Sequence, residues 1–339
     1  MKKGWTPKRV TAATLAAVAV VATPIVGLLV TSPGPHPVAR PSASPSSSAS
    51  ASPAPVAAAP VVSPFTGERV KALGPVLAVK IDNIVYARPQ TGLGAADIVY
   101  VIPVEGGLTR FMAIFSSHIP RVIGPVRSAR EDDLQLLAQF GRAAFAWSGA
   151  QTHLVPRVET SRIVDLYANI ARGYYRDNRR IAPYNLYASG PTLLAQSRGA
   201  SIAKGIGFLF GPPPAGGQPT GRARVDYSSA SYGFSWSASA RRWLVSIDGR
   251  PGMTTDSGQL SAATVVIQHV RVGKSLFLEY GSAPPYAYTV GHGSAVVLRD
   301  GKAYQARWSR PYPKGGTIFT TTAGQAMTFA PGPVWVVLT

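Results

Sequence analysis

An uncharged run of 21 residues near the start of the chain constrains where the rest of the chain can fold and function. It extends from Val10 to Val30, VTAATLAAVAVVATPIVGLLV, and follows four basic residues within 1–9. About 20 apolar residues suffice for a helix that crosses the hydrocarbon core of a bilayer. Because only Arg40 follows the run nearby, the positive-inside rule places the remainder of the chain outside the cell. We predict a cytoplasmic basic tail at 1–9 and a transmembrane anchor at 10–31.

A cleaved signal peptide is the alternative for the same run. Such peptides usually have a shorter apolar region that ends at a small-residue cleavage site. The first A-x-A sequence after the run is Ala49–Ala51, about twenty residues too late. An uncleaved anchor is therefore favoured, and cleavage stays open. Both interpretations predict export, either as a single-pass plasma-membrane protein with its globular part outside or as a secreted protein.

Residues 32–63 consist almost wholly of Pro, Ala, Ser and Val. A segment of this composition buries too little apolar surface to offset its chain entropy. We predict a disordered, partly extended linker that spaces a globular domain away from a membrane.

The charge balance of the chain favours anionic partners. Lys and Arg number 34 against 15 Asp and Glu, a formal net charge of +19. Residues 1–63 hold five of the cations and no acid, which leaves 29 cations against 15 acids, or +14, on the remainder. A surplus of this size attracts nucleic acid, acidic lipid or anionic polymer, although 25 Arg beside nine Lys could also reflect coding bias.

Export narrows the choice of partner. Little nucleic acid is available outside a cell, so the predicted partners are the cell membrane and an anionic cell-wall polymer or envelope protein, with no nucleic acid. The chain has no cysteine, which excludes disulfides, thiol catalysis and a lipid-modified cysteine anchor. Its five histidines are scattered without metal-ligand spacing, and no phosphate loop occurs, so we expect no metal and no cofactor.

Two regions follow the linker, separated by the turn-rich run GPPPAGGQPTG at 211–221. In the first, VLAVKIDN and the two halves of ADIVYVIPVEGGLTRFMAIF have the pattern of strands, and SGPTLLAQSRG that of a short helix with a Ser cap and a closing Gly. The second contains mainly strand patterns, among them RRWLVSI and ATVVIQHVRV. We predict an α/β (α+β) domain at 64–210 and a mostly β domain at 222–339, which could share one core.

A charged stretch around the first hairpin is the main candidate site. A symmetric hairpin about the Gly106-Gly107 turn would pair Glu105 with Leu108 and place Glu105 and Arg110 on one face. The pattern Ser128-x-x-Glu131 is that of a capping box, so a helix start flanked by Arg127 and Arg130 would face the same place. This predicts an electropositive pocket with one carboxylate at its rim. The alternative is ordinary ion pairing on a surface hairpin.

Two further clusters are candidates for ligand binding. Asp82 and Asn83 follow a buried strand, and the loop after them carries Arg88, Gln90 and Asp97, the last of which could instead satisfy backbone N–H groups in a turn. The run RDNRRIAPYNLYASG interleaves arginines with tyrosines. That pattern suits stacking on sugar rings, and it also suits a packed loop.

Residues 78–130, AVKIDNIVYARPQTGLGAADIVYVIPVEGGLTRFMAIFSSHIPRVIGPVRSAR, resemble the signature of the YerB-like exported lipoprotein family. RRIAPYNLYAS and the C-terminal DGRPGMTTDSGQLSAATVVI and GPVWVVL are similar to later parts of that family. The resemblance implies a two-domain exported protein tethered at the outer face of the plasma membrane, and it implies no reaction. Its motif positions are Asp82, Asn83, Arg88, Gln90, Asp97, Glu105, Arg110, Arg127 and Arg130.

Three departures from the family pattern affect the functional hypotheses. The lipidated cysteine is missing, an acid is replaced by Val101, and a histidine is replaced by Tyr184. The favoured hypothesis is a membrane-tethered envelope protein whose Arg-rich pocket binds an anionic ligand. A wall-glycan hydrolase that uses Glu105 as general acid and Asp82 as its partner carboxylate is the alternative, and the two replacements weigh against it. A purely structural interaction module is a third possibility.

Overall fold

The computed structural model describes residue 34, residues 60–278 and residues 281–339. The predicted tail, the anchor and most of the linker lie outside this part of the chain. Among the residues that are described, no helix combines the length and the apolar character needed to cross a bilayer. The end of the predicted linker is ordered, because Val62 forms an antiparallel bridge with Arg69 and the Val70 amide donates to the Val61 carbonyl.

Among the described residues, helices occur only in the region up to residue 210, and strands occur in both regions. Up to residue 210 the elements are β1 (Leu77–Asp82), β2 (Ile98–Pro103), β3 (Thr109–Phe115), β4 (Val122–Ile123), α1 (Glu131–Leu137), β5 (Ala144–Trp147), α2 (Val155–Glu159), β6 (Val164–Tyr167), β7 (Tyr174–Arg176), β8 (Leu186–Ser189) and α3 (Gly190–Gln196). The later strands are β9 (Gln218–Pro219), β10 (Arg222–Asp226), β11 (Ser231–Ser237), β12 (Arg242–Ile247), β13 (Arg250–Pro251), β14 (Met253–Thr254), β15 (Gly258–Gln259), β16 (Ser261–Ala262), β17 (Thr264–Gln268), β18 (Arg271–Lys274), β19 (Pro285–Tyr288), β20 (Gly291–Arg299), β21 (Lys302–Arg310), β22 (Ile318–Thr321) and β23 (Val334–Leu338). Short 3-10 turns lie at Val85–Ala87, Leu93–Ala95, Glu105–Gly107 and Ala138–Phe140.

One mixed sheet of eleven strands draws on both regions of the chain. Its order is β22-β21-β20-β17-β23-β2-β3-β1-β5-β6, with β9 paired to β21. The last strand, β23, lies between β17 and β2 and runs parallel to both. The α/β and β-rich regions expected from the sequence therefore contribute to the same sheet.

Both faces of this sheet are buried. Side chains alternate between the two faces of a strand, so Phe111 of β3 packs in one apolar cluster and its neighbour Met112 packs in the other. The Met112 face is covered by α1, and the Phe111 face is covered by the smaller sheet β10-β11-β12-β13. Burial on both faces explains why β1 and β2 consist mostly of apolar residues and do not alternate between apolar and polar ones.

The connection between β2 and β3 differs from the predicted two-residue turn. The ladder closes at Pro103 opposite Thr109, and the Val104 amide donates to the Leu108 carbonyl at 2.8 Å. Glu105 therefore does not pair with Leu108 as predicted. The reason is that both Gly106 (φ 66°) and the following glycine (φ 70°) adopt left-handed conformations within a 3-10 turn, which lengthens the loop.

Candidate functional site

The end of β1 brings opposite charges together. Asp82, the last residue of β1, is the direct partner of Arg110 in the antiparallel pairing of β1 with β3. Residues that are directly opposite in such a pair project from the same face of the sheet. Lys80, two residues earlier, reaches Asp133 of α1 with 2.5 Å between Nζ and Oδ1, so this face is the one that α1 covers.

The segment after Gly124-Pro125 places a second guanidinium beside Asp82. The Asp82 amide donates to the Pro125 carbonyl and the Arg127 amide donates to the Lys80 carbonyl, so this segment runs alongside β1. Arg127 Nε then lies 2.8 Å from Asp82 Oδ2. The N–H group is not directed at that oxygen, so the contact is an ion pair without a hydrogen bond. Both Arg127 Nε and Asp82 Oδ2 are buried, and neither makes a hydrogen bond to a described residue.

Glu105 and Arg130 form the second ion pair of the site. Arg130 Nε and Nη2 donate to the two carboxylate oxygens of Glu105 at 2.6 and 2.9 Å. Burial alone would raise the pKa of Glu105, but these hydrogen bonds and the charges of Arg130 and Arg110 outweigh it and lower that pKa. Glu105 is therefore ionised at neutral pH, which argues against its use as a general acid.

Arg110 lies among the other charges. Its Nη1 donates to the Ser128 carbonyl at 3.0 Å. Burial, followed by the positive charge of Arg130, lowers the pKa of Arg110 to about 10, with Arg127 acting in the same direction and Asp82 opposing it. The guanidinium stays charged at neutral pH, although it is buried and lies near two other arginines as well as two carboxylates.

These side chains surround a small cavity, which we call the Asp82 cleft. It has a volume of about 180 Å³ and is lined by Asp82, Glu105, Arg110, Arg127 and Tyr184, together with parts of the β2–β3 connection. The Arg127 guanidinium lies over the Tyr184 ring, 5.3 Å from its centroid. The charged residues that the sequence predicted to form a pocket therefore lie close together.

The predicted role of the helix start was wrong. The helix begins at Glu131, and the Arg130 amide is capped by the Asp133 carboxylate at 2.7 Å, not by a Ser128–Glu131 capping box. Glu131 instead accepts hydrogen bonds from the Ser275 hydroxyl and the Leu276 amide. The first turn already contains three acidic residues, so it offers no attraction for an incoming anion.

Asn83, Arg88 and Gln90 lie outside the cleft and serve a structural network. The Asn83 side-chain oxygen accepts hydrogen bonds from Arg88 Nε at 3.2 Å and Gln90 Nε2 at 3.1 Å, and its amide nitrogen donates to the hydroxyls of Thr109 and Tyr232. Arg88 Nη1 also reaches Asp248 at 2.6 Å. These contacts join the loop after β1 to strands of the second region.

Asp97 lies at the start of β2, the opposite end of that strand from Glu105. Its Oδ2 accepts hydrogen bonds from the amides of Ser116 and Ser117 at 2.6 and 2.9 Å. Burial raises its pKa, and these hydrogen bonds act against that rise. This geometry corresponds to the turn role that the sequence left open.

The two replaced family positions have different surroundings. Val101 is fully buried in β2 among the apolar residues beneath the small sheet. The replacement of an acid by valine at this position therefore changes the core and not the cleft. Tyr184 lines the cleft. The sequence predicted the loss of a base at Tyr184 and included this residue in the Arg- and Tyr-rich run, but it did not place Tyr184 in this pocket.

The residues present can hold anions more readily than metal ions. Among the described residues no three His, Cys, Asp or Glu side chains are grouped as metal ligands. The cleft is instead lined by two guanidinium groups, those of Arg110 and Arg127, and by two carboxylates, one of which is held by Arg130. Guanidinium groups bind carboxylates and phosphates through paired N–H donors.

Comparisons with known proteins agree with the resemblance seen in the motifs. The crystal structure of YerB from Bacillus subtilis has the same fold, with a TM-score of 0.70 at 23% identity over 82% of this chain and 96% of that one. In sequence, the chain is 27% identical over 294 residues to YerB, a candidate lipoprotein of Bacillus subtilis (strain 168), which covers 82% of this chain and 85% of that protein. Residues 65–203 match the N-terminal domain and residues 223–336 the C-terminal domain of a family of proteins of unknown function, DUF3048. Since these two matches cover most of its length, the chain belongs to the DUF3048 family.

Proposed function

We propose that this chain is a membrane-tethered envelope protein, with its globular part outside the cell, that binds an anionic group in the Asp82 cleft. The group would belong to a wall-related polymer or to a partner protein. The uncharged run at Val10–Val30 and the name of the Bacillus relative as a candidate lipoprotein support the location. The charges of the cleft support the binding.

The observation that carries the proposal is the burial of Arg110 beside other arginines. Arg110 and Arg127 line the cleft with Asp82, and its other carboxylate, Glu105, is already held through both of its oxygens by Arg130. The lowered pKa of Arg110 reflects burial and the neighbouring positive charges. An anion bound in the cleft would offset that repulsion, so binding and the arginine charges stabilise each other.

Two features define the class of ligand. Asp82 is 4% exposed and its Oδ2 lacks a hydrogen-bond donor among the described residues. A ligand with a hydroxyl next to its acidic group could donate a hydrogen bond to this oxygen. The volume of about 180 Å³ is below the usual range for small-molecule pockets. The best match is therefore one acidic unit that carries a hydroxyl, such as a uronic acid or a glycerol phosphate at the end or side of a polymer.

The test is titration calorimetry on the full chain in a polyoxyethylene detergent, with galacturonate and glycerol phosphate oligomers and a neutral oligosaccharide as probes. We expect an acidic oligomer to bind, and Arg127→Ala to weaken that binding about tenfold to hundredfold, because hydrogen bonds to charged groups contribute about 1.5–3 kcal/mol. The control is Arg224→Ala, which removes an exposed arginine of β10 that pairs only locally with Asp226.

Equal affinity of the Arg127→Ala variant and the unmodified chain would contradict the proposal. Failure of every acidic probe to bind would contradict it as well. A uniform loss of affinity in the Arg224→Ala control would show that the attraction depends on overall charge and not on the cleft.

A further inference from the structure

A second cavity lies apart from the Asp82 cleft and shares no lining residue with it. Its volume is about 520 Å³, within the usual range for sites that bind small molecules. We call it the Tyr175 groove; its walls include Tyr175 and Tyr187, and its rim includes Asp177, Arg180 and Thr91. The rim belongs partly to the Arg- and Tyr-rich run that the sequence associated with sugar stacking.

The wall of the groove is a pair of aromatic rings. Tyr175 of β7 and Tyr187 of β8 are directly opposite in the antiparallel pairing, with ring centroids 6.1 Å apart and planes 28° from parallel. Tyr187 is 3% exposed, whereas Tyr175 is 47% exposed. Because β8 also pairs with β4, the wall is held in place, and the Tyr175 ring offers a flat apolar face to a ligand.

The rim of the groove supplies both donors and acceptors. The Asp177 carboxylate accepts two hydrogen bonds from the Arg179 side chain at 2.9 Å each, so these two charges largely cancel. Arg180 lies over the Tyr187 ring and donates to the Pro89 carbonyl at 2.8 Å. Sugar hydroxyls both donate and accept hydrogen bonds, and such a mixed rim suits them better than it suits an anion.

One buried hydroxyl in the groove lacks a partner. Tyr187 Oη makes no hydrogen bond within ordinary geometric limits to any described residue. Thr91 lies close enough to influence the pKa of Tyr187, but its hydroxyl is engaged at 2.6 Å with that of Thr255. A buried polar group left unpaired is destabilising, and a hydroxyl entering the groove would give Tyr187 Oη a partner.

We propose that the Tyr175 groove is a separate binding site for neutral sugar rings of a polysaccharide. The ring would stack its apolar face on Tyr175 and place its hydroxyls against Asp177, Arg180 and the Thr91–Thr255 pair. The inference does not depend on the Asp82 cleft, because the two cavities have different walls and different charge.

The test is titration calorimetry of the full chain with chitotetraose, maltotetraose and cellotetraose, in a polyoxyethylene detergent whose head group contains no sugar. We expect at least one of these neutral oligosaccharides to bind, and Tyr175→Ala to weaken its binding at least tenfold. The matched control is Tyr312→Ala, which removes a tyrosine that is 60% exposed but lies outside the groove. Arg127→Ala, in the Asp82 cleft, should leave this binding unchanged.

The half-exposed position of Tyr175 means that its truncation should leave the fold intact, and circular dichroism melting would verify this. Binding that is equal in Tyr175→Ala and the unmodified chain would overturn the inference, as would the absence of binding by all three oligosaccharides. Loss of sugar binding in the Arg127→Ala variant would show that the Asp82 cleft is the only site.

Discussion

Two neighbouring aspartates of α1 are buried with unequal support. Asp133 accepts from the Lys80 ammonium and from the Arg130 amide. Asp132 accepts from the Ala287 amide at 3.1 Å, and its second oxygen makes no hydrogen bond to a described residue. Burial, followed by the negative charge of Asp133, raises the pKa of Asp132 to about 7, although Lys80 acts in the opposite direction.

This difference predicts a pH dependence of stability. The pKa of Asp132 is raised from 3.8 to about 7 on folding, so between these values the folded chain binds a proton that the unfolded chain does not. The stabilising contribution of that proton is complete below about pH 4 and is lost as the pH rises through about 7. We expect Asp132→Asn, which stays neutral, to lose less stability than the unmodified chain between pH 5 and 8.

Calorimetric melting of the full chain at several pH values would measure this effect. Asp226→Asn serves as the control, since Asp226 is an exposed carboxylate of β10. Parallel stability profiles of the Asp132→Asn variant and the unmodified chain would contradict the prediction.

At the scale of elements, α1 organises the β18–β19 hairpin through its polar side chains. Glu131 accepts from the Ser275 hydroxyl at 2.7 Å and from the Leu276 amide at 2.9 Å. Gln135, one turn later, accepts from the amide of Thr289 after β19. The helix thus satisfies backbone groups that the two-stranded hairpin cannot pair internally.

We predict that Glu131→Ala detaches the segment after β18 from α1 without unfolding the sheet. Two hydrogen bonds to a carboxylate are lost, and each contributes about 1.5–3 kcal/mol, so amide exchange at Leu276 and Phe277 should accelerate at least tenfold. Hydrogen exchange followed by mass spectrometry measures this directly. Glu159→Ala is the control, since Glu159 is exposed in α2, and unchanged exchange at Leu276 in the Glu131→Ala variant would count against the prediction.

At the scale of the whole molecule, the last strand closes the structure. β23 pairs in parallel with β2 of the first region and with β17 of the second, so the middle of the sheet needs strands from both regions. Trp335 of β23 packs against Phe111 of β3, with ring centroids 5.6 Å apart. The two family domains therefore share one core.

This topology predicts a single cooperative unfolding transition. Loss of β23 would expose the edge of β2, which is buried on both faces, so neither region should persist when the other unfolds. Guanidinium denaturation of the full chain, followed by circular dichroism and by tryptophan fluorescence, should give coincident curves. Trp147 lies in the first region and Trp335 in the second, so fluorescence reports on both, and two separated transitions would refute the prediction.

Much of the fold and part of the site followed from local patterns. Strands such as β1 and β3 were recognisable because their apolar runs and turn residues lie within a few positions of one another. The grouping of Glu105 with Arg110 and Arg127 was predicted for a related reason: strand ends and short turns place nearby parts of the chain side by side. Asp82 was assigned to a separate cluster, and the pairing of β1 with β3 brings it to Arg110. The short helix capped by Ser189 was confirmed for the same reason.

The remaining features depend on partners far away in the chain. Asn83 meets Tyr232, 149 residues later, and Glu131 meets Ser275, 144 residues later, so neither role can be read from neighbouring residues. By itself the sequence determined most of the strands and the charged residues near the β2–β3 connection, because these depend on local periodicity and composition, but it did not determine the form of that connection or the cap of α1. Only the tertiary structure decided which charges are already neutralised and where Tyr184 lies, because each depends on the packing of segments that meet only when the sheet closes.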